Sequence, residues 1–196
     1  MHPPRSWENS QMTDTRRLEG LTALVAFGLT IPAANWLIGH AGTFCAPDGP
    51  CLIPVAPGVM APSGVLMIGL ALVLRDLVQR RLGLGFAWVA ILAGTAISAT
   101  LAPPSLVLAS AAAFLISETV DLAVYTPLQR RNLVLAVLAS GIAGLVVDSI
   151  AFLFIAFGDL SFLLGQVLGK LWMVLLALPL VAWLRRADAR RGIQPA

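Results

Sequence analysis

Six stretches of this chain are apolar enough and long enough to cross a bilayer: roughly 18–39, 62–80, 84–102, 105–126, 132–157 and 160–184. About 20 apolar residues span the hydrocarbon core. Lipid offers the backbone no hydrogen-bond partner, so each stretch is expected to be a helix. Strand signals are weak, because alternation is absent and Ala and Leu dominate. Of 196 residues, 58% are hydrophobic and 12% charged, against about 25% charged in a soluble domain. The apolar content is spread along the chain, which excludes one anchor on a soluble domain. The expectation is an all-α, polytopic membrane protein with six transmembrane helices.

The cations set a topology. Arg5, Arg16 and Arg17 precede the first span, Arg80 and Arg81 follow the second, and Arg130 and Arg131 follow the fourth. Arg185, Arg186, Arg190 and Arg191 follow the sixth, and the connections at 40–61, 103–104 and 158–159 hold no Lys or Arg. Cations flank membrane spans on the cytoplasmic side. Both termini are therefore expected in the cytoplasm of a bacterial-type inner membrane. The net charge of +3 is a topology signal; arginines dispersed in twos beside helix ends make a poor nucleic-acid surface. Residues 1–17 read as a flexible tail, 18–186 as the membrane domain and 187–196 as a second tail. The two-residue connections Pro103-Pro104 and Gly158-Asp159 make successive helices antiparallel neighbours. The longest connection, 40–61, carries Cys45 and Cys51, which form a disulfide or remain two loop thiols. These cysteines with His2 and His40 make no metal set, and no cofactor is expected.

Six charged residues fall inside the spans: Arg75, Asp76, Glu118, Asp121, Asp148 and Lys170. A charge at mid-bilayer costs roughly 3 kcal/mol on insertion scales, so such residues face a bundle interior or a wet cavity. Gln79 shares a helix face with Arg75, and Gln166 shares one with Lys170, each four residues apart. Glu118 and Asp121 lie on one face; two carboxylates in a low dielectric need a proton or a cation. Asp76 could instead pair locally with Arg80, and Asp121 could lie near Arg130. Lys170 could bridge to Asp148 or Glu118. The six charges sum to −2, which suits a solute rich in hydrogen-bond donors, or a proton. Aromatic residues such as Trp36, Trp88, Trp172, Phe152 and Tyr125 could stack on a planar solute, and Asn35 with Trp36 could line an entrance. Gly165 and Gly169, Ser140 and Gly144, Gly94 and Ser98, and Ala109 and Ala113 place small residues one turn apart, where helices approach closely.

These residues form a series. Arg75-Asp76-Leu77-Val78-Gln79-Arg80-Arg81-Leu82-Gly83 ends the second span, and Ser117-Glu118-Thr119-Val120-Asp121-Leu122-Ala123-Val124-Tyr125 lies in the fourth. Ala139-Ser140, Asp148-Ser149, Phe152 and Ile155-Ala156-Phe157-Gly158 follow on the fifth, then Gln166-Val167-Leu168-Gly169-Lys170 on the sixth. The series resembles the queuosine-precursor transporter family, also called the vitamin-uptake-transporter family, over about 64–184. Its members are similar to the substrate-binding S-components of energy-coupling-factor transporters. The resemblance implies six helices and uptake of 7-cyano-7-deazaguanine (preQ0) or a related 7-deazapurine. It makes Asp76, Glu118, Asp121, Asp148 and Lys170 candidate substrate-site residues. The chain has no P-loop; it would work alone, driven by protons, or with an ATP-driven energy-coupling module, and a homo-oligomer is open. The alternatives are an S-component for another vitamin-like solute and a membrane scaffold subunit. An enzyme is not expected, since no nucleophile sits beside a basic partner.

Overall fold

A computed structural model describes residues 6–45, 50–102 and 104–192. Six helices make up its body: α1 (Ser6–His40), α2 (Val65–Leu82), α3 (Leu84–Leu101), α4 (Val107–Leu128), α5 (Leu133–Phe157) and α6 (Leu163–Arg191). The architecture is the expected all-α membrane fold. Five of the helices are long and apolar enough to cross a membrane; α2 is the exception.

The exception follows from where α2 sits. It carries Arg75, Asp76, Arg80 and Arg81, and every residue from Arg75 to Arg81 is buried. A helix buried on all faces is surrounded by protein. Indeed α2 packs against α1, α3, α4, α5 and α6, while α1–α3, α3–α4, α4–α5 and α5–α6 are neighbours around it. The charges are thus on the axial helix, shielded from lipid by the other five. Lipid-facing surface is supplied by residues such as Leu108, Phe154, Leu164, Leu176 and Trp183, all well exposed.

Small residues let the axis approach its neighbours. A Cβ on Gly69 would strike the Lys170 carbonyl of α6, and one on Gly20 would strike Leu82 and Arg81. Ser140 is fully buried, and Gly144 sits against Leu72 of α2 and Asp121 of α4. The link from α2 to α3 is the single residue Gly83 at φ 95°, a conformation that a side chain with Cβ disfavours. At the start of α5 the Asn132 side chain accepts a hydrogen bond from the Leu135 N–H at 3.3 Å, the usual role of an N-cap amide.

Three boundaries differ from the sequence expectation. Residues 6–17, expected as an irregular tail, continue α1, and 187–191, expected as a tail, continue α6. Each extension has a contact to the rest of the bundle: the half-buried Arg16 donates from Nε to the Arg81 carbonyl at 3.2 Å, and the buried Asp188 pairs with Arg80 and Arg81. Residues 1–5 and 193–196 lie outside the described residues. The segment 40–61 holds an antiparallel sheet, β1 (Phe44–Cys45), β2 (Cys51–Ala56) and β3 (Val59–Pro62), in spatial order β1-β2-β3. Its strands are too short and too proline-rich to alternate visibly. Cys45 faces Cys51 in the β1–β2 register, and the two form a disulfide. Val55, Ala61 and Val65 pack together, and the Trp172 indole of α6 donates to the Val55 carbonyl at 2.9 Å. The sheet is thereby fastened over one end of the bundle. Of the Pro103-Pro104 turn, Pro103 lies outside the described residues; Pro104–Leu106 form a short 3-10 turn.

The molecule has two unlike ends: one capped by the sheet, the other rich in arginine.

Candidate functional site

The six charged residues expected inside the spans divide into two groups. In the first, Asp148 of α5 and Lys170 of α6 pair at 2.6 Å. The Lys170 ammonium also donates to Gln166 Oε1 at 2.7 Å and to Ser149 Oγ at 2.8 Å, so all three of its protons have acceptors. The second Asp148 oxygen accepts from Ser117 Oγ at 3.3 Å. Asp148 is the least enclosed of the six, at 7% exposed. The reason is a cavity of about 110 Å³ at the sheet end, lined by Asn35, Ser110, Phe114, Asp148, Phe152, Gln166 and Lys170 among others. A water needs roughly 10–15 Å³ on this measure, so the space suits a solute of several heavy atoms. Asn35 donates to the Ile31 carbonyl at 3.0 Å, which leaves its amide oxygen for a solute. Lys170 takes the Gln166 oxygen, so Gln166 has its NH2 to offer.

The second group lies deeper, toward the arginine end. Arg75 is fully buried. Its Nε donates to Glu118 Oε2 at 2.9 Å, its Nη2 to Asp121 Oδ1, and its Nη1 to Gln79 Oε1 at 3.3 Å. Nη1 is also 2.9 Å from Asp76 Oδ1, as an ion pair outside hydrogen-bonding geometry. Asp76 Oδ2 accepts from Ser140 Oγ at 3.1 Å. The guanidinium sits 5.8 Å from the Tyr125 ring centroid, within reach of a cation–π contact. A planar fork with five donors lets one side chain meet three acids and an amide at once. Gln79 is held in turn by its Nε2, which donates to Thr126 Oγ1 at 3.0 Å.

Of the candidate residues, Asn35, Asp148, Gln166 and Lys170 are brought together around the cavity. Arg75, Asp76, Gln79, Glu118 and Asp121 are brought together beneath it and do not line it. Spacing along the chain could not separate the two groups, since it does not fix how each helix is rotated against its neighbours. Trp36 is corrected as an entrance residue: it is 58% exposed and stacks on His40 at 5.2 Å. From α1 the cavity is lined by Ile31, Ala34, Asn35 and Ile38, and not by Trp36. Tyr125 belongs to the deep group, whereas Phe152 lines the cavity. Asp76 pairs with Arg75 rather than with Arg80, and Arg75, not Arg130, holds Asp121.

A third cluster, which the sequence reading did not single out, lies at the arginine end. Asp188 of α6 binds Arg80 at 2.6 Å and Arg81 at 2.9 Å, and Glu19 of α1 binds Arg81 at 2.7 Å. It ties α1, α2 and α6 together at the end opposite the cavity. Ser110, Phe114 and Ser117 were also missed as site residues; their spacing of four and three on α4, continued by Asp121 and Tyr125, was the available signal.

The fold defines a multi-pass membrane protein with charged groups buried in its interior. Residues 95–184, from within α3 to within α6, match the family described as "Putative vitamin uptake transporter". This is the family that the residue series resembles, and the match takes in Glu118, Asp121, Asp148, Gln166 and Lys170; Arg75 and Asp76 precede it. No curated protein and no solved structure matches the chain.

Proposed function

We propose that the protein imports a 7-deazapurine, 7-cyano-7-deazaguanine (preQ0) or a close relative, through the cavity at the sheet end. The observation that carries this reading is the Asp148–Lys170–Gln166 group at the floor of that cavity. The Asp148 carboxylate is fixed by Lys170 and still has lone pairs for the paired ring N–H and exocyclic amine of a guanine-like base, a charge-assisted arrangement. The Gln166 NH2 can meet a carbonyl or nitrile. Phe114 and Phe152 offer faces to a planar ring. A base lacking the donors would leave the carboxylate unsatisfied, which discriminates far more strongly than shape.

By the positive-inside rule the arginine end is cytoplasmic, in the inner membrane of a bacterial cell, and the cavity is the outward side. The second reading, an S-component for another vitamin-like solute that borrows an ATP-driven module, is favoured by the description of the matched family as a vitamin uptake transporter; α1 and the arginine end would then serve as its docking face. Thermal-shift measurement on purified protein across preQ0, preQ1, queuine and guanine tests the substrate. A deazapurine that stabilises the wild type and not Asp148→Asn supports the reading. Stabilisation by none of the four, with stabilisation by an unrelated vitamin, gives the second. Radiolabelled uptake unaltered in Asp148→Asn removes Asp148 from the mechanism.

A further inference from the structure

The inner half of the bundle has no role in the reading above, yet it holds the most costly groups in the molecule. Along α4 one buried stripe runs from the cavity to the arginine end: Ser117, Glu118, Asp121, Tyr125 and then Gln129, each 6% exposed or less. From Ser117 to Gln129 the helix rises about 18 Å. Ser117 bonds to Asp148 at the cavity, which joins the stripe to the solute site.

Two independent features of this stripe point to a bound species. The first is charge: Asp76, Glu118 and Asp121 surround the single cation Arg75, so three ionised acids would leave −2 buried beside one guanidinium. An uncompensated buried charge costs several kcal/mol, and carboxylates sharing a site resolve this by keeping a proton. The other charged or titratable groups facing the cluster are Tyr125 on α4 itself, Asp148 of α5 and Lys170 of α6. The last two neutralise one another, and Arg80, next along α2, is engaged by Asp188. The second feature is a row of buried polar atoms that have no hydrogen-bond partner among the described residues: Asp121 Oδ2, Tyr125 OH, Gln129 Oε1 and Asp76 Oδ1, the last held only by its ion pair with Arg75. The Asp76 and Asp121 carboxyls both contact the Arg75 guanidinium, which places them side by side. Two acceptors can face each other favourably only with a hydrogen between them.

We infer that the Asp76–Asp121 pair beside Arg75 is a proton-binding site, and that the α4 stripe carries that proton between the solute cavity and the arginine end. One proton enters from the Asp148–Ser117 side and is held by the acid pair. It leaves past the Tyr125 hydroxyl and Gln129, and the cluster returns to its starting charge. The proton-binding site stands on the structure alone; its use as the driving ion rests on the transport reading.

Two measurements test this on the full-length protein. Infrared spectroscopy of the purified protein at neutral pH should detect the carbonyl stretch of a protonated carboxyl that shifts in D2O and is lost in Asp121→Asn. Absence of that band from the wild type overturns the proposal. In liposomes, counterflow of labelled preQ0 reads transport without a driving ion, and accumulation under an imposed pH gradient reads coupling. The wild type should do both. In the near-isosteric Tyr125→Phe, which avoids dependence on the folding of the acid variants, the ratio of gradient-driven accumulation to counterflow should fall. Counterflow with accumulation blind to the pH gradient, or following sodium instead, overturns the coupling. Absence of counterflow for every 7-deazapurine would overturn the substrate reading, while the infrared band still decides the proton site.

Discussion

Arg75 concentrates what is unusual about this protein at the scale of one side chain. It is a fully buried cation in contact with three acids, an amide and an aromatic ring. Removing one member of a buried ion pair costs about 3–5 kcal/mol, because the partner stays buried and uncompensated. Arg75→Gln leaves three acids without a cation and should lower stability by at least about that amount. Arg75→Lys should recover only part of it, because an ammonium cannot bridge acids from two helices with a planar fork. Thermal unfolding in detergent, followed by tryptophan fluorescence, measures both; a wild-type melting temperature in Arg75→Gln would refute the central role given to this residue. Lys170→Met should be milder in one respect: it strands one carboxylate, Asp148, and that one borders a cavity where water can reach it. The spacing of Arg75 and Gln79, and of Gln166 and Lys170, was legible from the chain, and both pairs are in contact. The partner of Asp76 was not, because Arg75 and Arg80 were equally available until the rotation of α2 was known.

Among the elements, α2 departs furthest from its expected part. By length it is a membrane span, but it is surrounded by the other helices and its composition obeys their interior rather than lipid. Its fit depends on close backbone approach. Gly69→Val would force α2 and α6 apart where the Lys170 carbonyl touches Gly69, and overpacking of this kind costs about 1–3 kcal/mol. It should also displace Lys170 from Asp148, so weakened deazapurine stabilisation in the thermal-shift assay is expected along with lower stability. The sheet at the opposite extreme is held by a disulfide that closes a short loop of sequence separation 6. Loss of such a crosslink costs about 2 kcal/mol in the chain-entropy model. Cys45→Ser with Cys51→Ser should therefore lower the unfolding midpoint modestly and make it insensitive to reductant. An unchanged midpoint in both conditions would show that packing of Val55, Ala61 and Val65 alone holds the sheet. These strands escaped the sequence because two to six residues broken by proline give no periodic signal, whereas every helix was visible from its apolar run.

For the molecule as a whole, the layout is a graded one: a largely apolar cavity with a few polar groups under the sheet, a buried ion cluster in the middle, and a knot of α1, α2 and α6 at the arginine end. Asp188 is the centre of that knot, shared by Arg80 and Arg81. Asp188→Asn should take its counter-ion from Arg80, leave Arg81 with Glu19 alone, and destabilise by about 3 kcal/mol. It should also raise protease access at the arginine end, with the cavity residues little altered. If the unfolding midpoint is unmoved, the knot contributes nothing that solvent does not replace. Reporter fusions at both termini check the topology: activity of a cytoplasmic reporter at each end is expected, and a periplasmic signal at either would invert the assignment of entrance and exit.

Hydrophobicity and charge act residue by residue, and what depends on them could be read from the chain alone: the helices, the grouping of the arginines, and the six ionic groups that lipid would reject. Which of those groups meet is a different kind of fact. It depends on how each helix is rotated about its axis and how closely it crosses its neighbours, and contacts between residues far apart in the chain, such as Gly69 with Lys170 and Gly144 with Asp121, set both. The tertiary structure alone therefore divided one anticipated pocket into a cavity beside Asp148 and Lys170 and a separate buried cluster around Arg75.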